Sequence, residues 1–403
     1  MNVWEKDIKR GGGFAERCEL INKWTFDRFV EARQDKKPVT TRMLKQWAIA
    51  GAMQYESTNF RFSASNRWVT KFKKKYKISS RKVTRYIKSA AAMKLGVISE
   101  EVKKFQKRLQ TTIPKFESQY VINTDQTGCE YRCEVRRTLS VKGEKQTEVF
   151  LGDFNKVTHS YTAQYSITAA GTLLPKVFLC MREQKGNFGP RVYKSIQEMS
   201  SNYGNVFVVA TTSGKMTKDT FGSYLNNIVM PYVENKKYLL ILDSWSGQND
   251  LGYINNVLTD DNGNNLSKIE FIPPHCTSYC QPCDVYFFRQ VKNFIKKLQN
   301  STDAIQANRE LNTREDAIKI HSLIHHQLSA TVFKDMLIYA WYASKLLEKR
   351  DVFCNVNEIC FPAKLLNMKC VCGRLSFIQC SHCRKCLCFC CFYDVYHPKT
   401  CSF

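Results

Sequence analysis

Residues 238–250 read YLLILDSWSGQND, five apolar or aromatic residues, an aspartate, and then a polar turn. A short apolar run closed by turn residues is the pattern of a strand buried on both faces. Asp243 therefore stands where a buried strand gives way to a turn. The arrangement recurs at 120–125, YVINTD, where Asp125 is followed by Gln126, Thr127 and Gly128. A third aspartate, Asp284, closes QPCD at 281–284, directly before a helical pattern that begins VYFFRQ. Three carboxylates brought together at such ends would repel one another unless a cation lay between them.

Outward from these landmarks the chain keeps the same character. Apolar and β-branched runs at 120–122, 138–141, 161–168, 176–180, 206–210, 239–242 and 269–272 alternate with turns bearing Gly and Asn, and long helical patterns follow at 285–298 and 328–347. A mixed sheet flanked by helices, an α/β core, is expected. The stretch 300–312 is polar and reads as a loop or exposed helix.

Upstream of the sheet the pattern is helical. Trp24, Phe26, Phe29 and Val30 recur at helical spacing, as do Met43, Leu44, Trp47 and Ile49, and Ser63 or Ser65 can cap a helix carrying Trp68, Phe72 and Tyr76 on one side. From residue 67 to 88 there are ten Lys or Arg and no acid. Arg67, Lys71, Lys74, Lys75, Arg81 and Lys82 are the candidate contacts to DNA phosphates. A solvated face or a nuclear-import signal would also be basic, but neither has reason to bury Trp68 and Phe72. Residues 89–118 read as a connector with one polar helix near 100–109, ended by Pro114.

Composition agrees with a polyanionic partner. The 403 residues carry 61 Lys+Arg against 36 Asp+Glu, a formal charge of +25 that favours binding to nucleic acid, while 43% hydrophobic residues suffice for real cores. No stretch is long and apolar enough to span a membrane, and the first residues lack the centre of an export signal, so an intracellular site, the nucleus, is expected. Nine of the eighteen cysteines fall between 370 and 401. That crowding fits metal ligation better than a disulfide scaffold. Cys370, Cys372, Cys380, Cys383, Cys386, Cys388, His397 and Cys401 are the candidate ligands of one or two structural Zn²⁺ ions, with Cys390 and Cys391 in reserve and no pairing assigned.

Other patterns dissolve on inspection. Ser213-Gly214-Lys215 lacks the first glycine of a phosphate loop, which would fall at Val209, and is followed by Met216. Ser244 occupies the first-glycine position of a nucleophile elbow. His321 and His325 share a helical face with no glutamate to complete a zinc-protease motif.

The strings VINTDQTG (121–128), RRTLSVKGEK (136–145), YLLILDSWSGQND (238–250) and FIPPHCTSYCQPCDVYFFRQVKNF (271–294) resemble, in order and spacing, the DDE endonuclease core of pogo-type transposases within the mariner group. FSASNRWVTKFKKKYKIS (62–79) resembles the centromere-protein-B-type helix-turn-helix that precedes that core. The resemblance implies an RNase-H-like fold in which Asp125, Asp243 and Asp284 bind Mg²⁺ or Mn²⁺, double-stranded transposon-end DNA as partner, and homodimers on paired ends. Two such ions, about 3.5–4 Å apart, serve phosphodiester hydrolysis and strand transfer. The 41 positions between Asp243 and Asp284 exceed the mariner norm, and the polar insert TDDNGNNLS (259–267) accounts for the excess as a surface loop. The expected domains are a helix-turn-helix region at 22–88, a linker at 89–118, the core with flanking helices at 119–350 and a cysteine-rich zinc module at 368–403. The competing reading is a transposon-derived, catalytically silent DNA-binding protein, favoured by the shortness of the region before residue 22.

Overall fold

A computed structural model describes residues 13–35, 37–55, 60–81, 95–131, 160–259, 263–305 and 311–401. They fall into two compact units, Met1–Ser89 and Ala90–Phe403.

The first unit is helical, with α1 (Phe14–Gln34), α2 (Thr41–Ala52) and α3 (Asn66–Lys75). Ile21, Ala48, Ala52 and Phe60 form its buried centre, and Trp68 packs against them. Helices α1 and α2 approach so closely that a Cβ on Gly51 would lie 2.9 Å from the Trp24 ring. The Ser65 hydroxyl accepts the Trp68 N–H at 3.1 Å and so starts α3. The aromatic stripe of α3 is its inner face. Phe72 is buried, its ring 5.1 Å from Trp68 and 4.9 Å from Tyr76, and Tyr76 stacks on Phe26 of α1 at 4.1 Å. Trp68 Nε1 donates to Asn22 Oδ1 at 2.9 Å.

The second unit is built on a six-stranded mixed sheet. Its strands are β1 (Val121–Glu130), β2 (Ser160–Thr168), β3 (Val177–Arg182), β4 (Val206–Thr211), β5 (Tyr238–Leu242) and β6 (Ser267–Phe271), in the order β4-β3-β2-β1-β5-β6. Strands β1, β2 and β3 are antiparallel neighbours, whereas β5 runs parallel to β1 and to β6, and β4 parallel to β3. This is the expected RNase-H-like core. Because successive side chains of a strand face opposite ways, both faces bury apolar residues. Ile122, Leu240 and Leu242 pack with Phe221, Tyr224 and Leu225 of α6, which starts at Lys218–Tyr224 and continues through a π turn at Leu225–Val229. Val121, Leu239 and Ile241 look the other way, into the cluster that holds α9 (Phe288–Ile305), α10 (Arg314–Leu328) and α11 (Lys334–Ala343). The short helices α5 (Pro190–Tyr203), α7 (Leu251–Val257) and α8 (Thr277–Cys280) complete the connections of this part.

Several segments differ from their sequence reading. The stretch expected as a linker carries α4 (Leu95–Thr112), whose Phe105 and Leu109 are buried in the main cluster, so it is part of the second unit. The helical pattern at 328–347 is shorter than expected: α10 ends at Leu328, where the pattern begins, Ala330 is extended, and after a 3-10 turn at Thr331–Phe333 α11 covers only Lys334–Ala343. Breaking there lets Leu328, Phe333 and Trp341 all reach the same core. Of the two readings given to the polar stretch at 300–312, the helical one holds for its first part, since α9 reaches Ile305. Residues 263–265 of the polar insert are exposed before β6 begins at Ser267. The run at 138–141, the string at 136–145 and Lys82 lie outside the described residues.

The two histidines of α10 are core groups. His321 meets Tyr161 Oη at 3.0 Å and Tyr165 Oη at 2.8 Å, and His325 Nε2 donates to the Leu174 carbonyl at 2.7 Å. Burial holds the His321 pKa down to about 3 and that of His325 to about 4. A depressed folded pKa means stability that is present above the unfolded value, about 6.5, and lost as pH falls toward the folded one. Each histidine should therefore contribute a fall of up to about 1.4 kcal/mol per pH unit below about pH 6. Urea midpoints at pH 7 and pH 4.5 should show this loss, and His321→Gln should flatten it.

Candidate active site and metal centres

The three aspartates lie near one another around the β1–β5 pair. Strands β1 and β5 run parallel with Val121, Ile122 and Asn123 opposite Leu239, Leu240 and Ile241. The paired stretch ends there: Asp125 lies two residues on, in the middle of β1 and not at the strand end expected from the sequence because β1 runs to Glu130, and Asp243 is the first residue after β5. Asp125 follows the face of Val121 and Asn123, toward α9. Asp284 arrives from that side, in the π turn Cys283–Phe287 that leads into α9.

Asn123 joins the three elements. Its Nδ2 donates to the Ile241 carbonyl at 3.1 Å, and its Oδ1 accepts the Cys283 N–H at 3.0 Å. The side chain is fully buried, so one amide pins β1 to β5 and fixes the turn carrying Asp284 over the strand ends. Sequence reading quoted this residue inside YVINTD and gave it no role. A polar amide within an apolar strand was the available signal, since a buried amide must find partners. A second link had no such signal: Gln248, buried behind the turn after β5, donates to the Asp243 carbonyl at 2.9 Å and accepts from Gln126 Nε2 at 3.2 Å. Asp243 Oδ1 accepts from the Ser244 N–H at 2.8 Å and from Thr277 Oγ1 at 3.2 Å, which orients the carboxylate.

The electrostatics are those of crowded like charges. Burial raises the Asp125 pKa well above the usual carboxylate range, with the Asp284 and Asp243 charges adding to it and the Gln126 N–H opposing. Gln281 also opposes from beside Asp125, although neither end of its buried amide completes a well-formed hydrogen bond; we read it as near the carboxylate rather than bonded to it. Asp284 reaches solvent, yet protein crowds it enough that desolvation, then Asp243, raises its pKa, with Lys292 pulling the other way. The three carboxylates thus sense one another. Among the described residues their oxygens do not all lie within 4.8 Å of one another. Oxygen donors of this kind suit Mg²⁺ or Mn²⁺, and the crowded charge and the unsatisfied Gln281 amide are what a hard cation with its waters would relieve.

In the helical unit, Arg67, Lys71, Lys74, Lys75 and Arg81 are all exposed. Lys75 pairs with Glu19, and Lys73, set inward, donates to Thr41 Oγ1 at 2.7 Å. Arg67, Lys71 and Lys74 thus form the outer cationic edge of α3.

The cysteine-rich tail resolves into two groups whose ligand atoms lie within 4.8 Å of one another, Cys370/Cys372/Cys388/Cys391 and Cys380/Cys383/His397/Cys401. Seven of the eight expected ligands are there. Cys386 is not: it lies on β8 (Cys386–Leu387), paired with β7 (Ile378–Gln379), and its thiol meets Met368 Sδ at 3.6 Å. Cys391, held in reserve on sequence grounds, takes the place, because the π turn Cys390–Asp394 brings its N–H to 3.4 Å from Cys388 Sγ. A hydrogen bond from the Arg374 backbone, and then one from Cys388, lowers the Cys372 pKa to about 7, which favours the ligating thiolate.

Two family models match the chain, one described as DDE superfamily endonuclease over residues 185–342 and one described as Tc5 transposase DNA-binding domain over residues 27–82. The first spans Asp243 and Asp284; Asp125 lies before it and joins them through the sheet. No curated protein matches in sequence. Among solved structures, the chain is similar to the crystal structure of the Mos1 strand transfer complex (10% identity, 81% of this chain and 79% of that one, TM-score 0.45). It is also similar to a pre-cleavage Mos1 transpososome (10% identity, 80% and 78%, TM-score 0.41). Likeness of that degree adds nothing to what the sheet order and the family models carry. With an endonuclease domain of the DDE superfamily behind a transposase DNA-binding domain, the chain is a metal-dependent DNA transposase of the DDE type.

Proposed function

We propose that the chain is a pogo-type member of the mariner group that acts in the nucleus as a homodimer on paired transposon ends, with Mg²⁺ or Mn²⁺ at its aspartates and Zn²⁺ at its cysteines. The observation that supports the reading is that Asn123 ties β1 to β5 and to the turn at Cys283, and that Asp284 and Asp243 both raise the pKa of Asp125. Asp125, Asp243 and Asp284 are the residues that would hold the catalytic ions. When bound, such ions supply charge at the attacking and leaving oxygens of an in-line phosphodiester displacement. The chain's own part is to orient. Ser244 and Thr277 fix the Asp243 carboxylate, Gln248 fixes its backbone, and Asn123 sets the distance from strand to helix. Because nicking by water and later attack by a DNA 3′-hydroxyl both use this geometry, no protein side chain need bond covalently to DNA. The pogo assignment rests on the four core strings and the helix-turn-helix string; the dimer rests on the need to process two ends at once.

Excision from a plasmid carrying the element's own ends tests the reading. Loss of the insert with Mg²⁺ supports it, and DNA binding with no cleavage under any divalent metal would leave a silent DNA-binding protein instead. The helical unit gives a separate prediction. Replacing Arg67, Lys71 and Lys74 by Ala should lower the salt slope of DNA binding by roughly 0.9 for each phosphate contact removed. Titrations at several salt concentrations would show whether the slope moves.

A further inference from the structure

The ligands of the two tail groups alternate along the chain. Cys370 and Cys372 belong to the first group, Cys380 and Cys383 to the second, Cys388 and Cys391 to the first again, and His397 and Cys401 to the second. Neither group can close without the chain passing through the other. Within them, Cys372 Sγ and Cys388 Sγ are 3.5 Å apart, Cys380 Sγ and Cys401 Sγ 3.7 Å, and Cys383 Sγ and His397 Nε2 3.3 Å. Zn–S bonds of about 2.3 Å in a tetrahedron put sulfurs about 3.8 Å apart, so these spacings match the edges of a zinc tetrahedron and are far longer than a disulfide bond.

The second group also sits on the catalytic body. Gln327, fully buried near the end of α10, donates from Nε2 to Cys380 Sγ at 3.4 Å, and its Oε1 accepts the Ser381 N–H at 2.7 Å and the Ser381 hydroxyl at 2.9 Å. Ser381 Oγ donates to the Gln327 carbonyl at 2.7 Å, and His382 Nε2 to the His326 carbonyl at 2.6 Å. Elsewhere on the helix, Tyr393 Oη donates to Asp316, and Ser322 Oγ, which donates to Asn205, accepts from Tyr396 Oη at 2.6 Å. The other side of α10 holds the sheet, through His321 with Tyr161 and Tyr165 and through His325 with Leu174. Donors that orient a ligating sulfur are part of a metal site, and here the donor belongs to a core helix.

We infer that the tail is a cross-braced module of two structural zincs, an outer one at Cys370/Cys372/Cys388/Cys391 and an inner one at Cys380/Cys383/His397/Cys401, and that the inner zinc locks α10 onto the sheet of the catalytic body. The module is then a fixed wall of the nuclease, not a tethered finger. This rests on the assignment of zinc to the cysteines but not on catalysis.

The test uses the full chain. Zinc is counted by atomic emission after dialysis, and Co²⁺ replacement is read for thiolate charge-transfer bands. Amide exchange of α10 is then followed in wild type, Cys372→Ser and Cys383→Ser. The expected results are two zincs in wild type and one in Cys372→Ser with α10 protection intact. In Cys383→Ser, α10 protection should fall at least tenfold and the melting midpoint by roughly 5–10 °C. Should Cys383→Ser fail to fold, graded chelation of wild type replaces it, with α10 losing protection only in the step that empties the Cys3His site. Fewer than two zincs in folded wild type overturns the double site. Two zincs with α10 protection unchanged on losing the inner one overturns the lock while sparing the metal assignment.

Discussion

Asp243→Asn should abolish Mg²⁺- or Mn²⁺-dependent nicking of end-containing DNA, by on the order of 10³-fold or more, while DNA affinity stays within about twofold. The magnitude follows from the several kcal/mol of charge stabilisation that ligated metal supplies at the reacting phosphate, at about 1.4 kcal/mol per tenfold. Affinity is expected to survive because phosphate contacts from the separate helical unit, not this carboxylate, supply it. The asparagine keeps one oxygen for the bonds from Ser244 and Thr277, so the turn should hold its shape. Gel assays of cleavage and binding on the same preparation check both halves of the statement. Equal loss of binding and cleavage would mean the substitution had disturbed folding, not chemistry.

Asn123→Ala should be nearly as damaging although the side chain touches no reacting atom. The substitution leaves the Cys283 N–H and the Ile241 carbonyl without their buried partner, at a cost of about 1–3 kcal/mol of stability. The larger effect is positional. If the turn carrying Asp284 drifts by about 1 Å, a loss of roughly 10²-fold in cleavage is expected. The readout that separates positioning from mere destabilisation is metal affinity: Mn²⁺ binding should weaken in Asn123→Ala at a temperature where the variant is fully folded. Unchanged Mn²⁺ affinity with reduced cleavage would remove Asn123 from the role given to it here.

Much of this was legible before any coordinates, and for a physical reason. An aspartate closing a buried run, as at 238–243, would alone more often be a turn cap, and it was the order and spacing of the four strings that marked it for chemistry; the aromatic stripe of α3 could only be the inner face of a cationic helix. What the sequence concealed were relations between distant segments. Asn123 and Cys283 lie 160 positions apart, and no periodicity links them. Cys391 and Cys386 are equivalent as residue types; only the π turn at 390–394 and the β7–β8 pairing decide which thiol turns inward. Helix α4 read as a connector because its surface is polar, while Phe105 and Leu109, a turn apart, were enough to bind it to the core. Helix α10 went unassigned although His321 and His325 share a helical face, because its buried face mixes His321, His325 and Gln327 with apolar residues.

The most direct measurement is a Mn²⁺ titration of the zinc-loaded protein, followed by electron paramagnetic resonance, in wild type and in Asp125→Asn, Asp243→Asn and Asp284→Asn. If the three carboxylates share one pocket, wild type binds Mn²⁺ with end DNA present and each single substitution weakens that same binding at least tenfold. Binding that is indifferent to any one of the three aspartates would mean they do not converge on common ions, and the account of this nuclease would be wrong at its root.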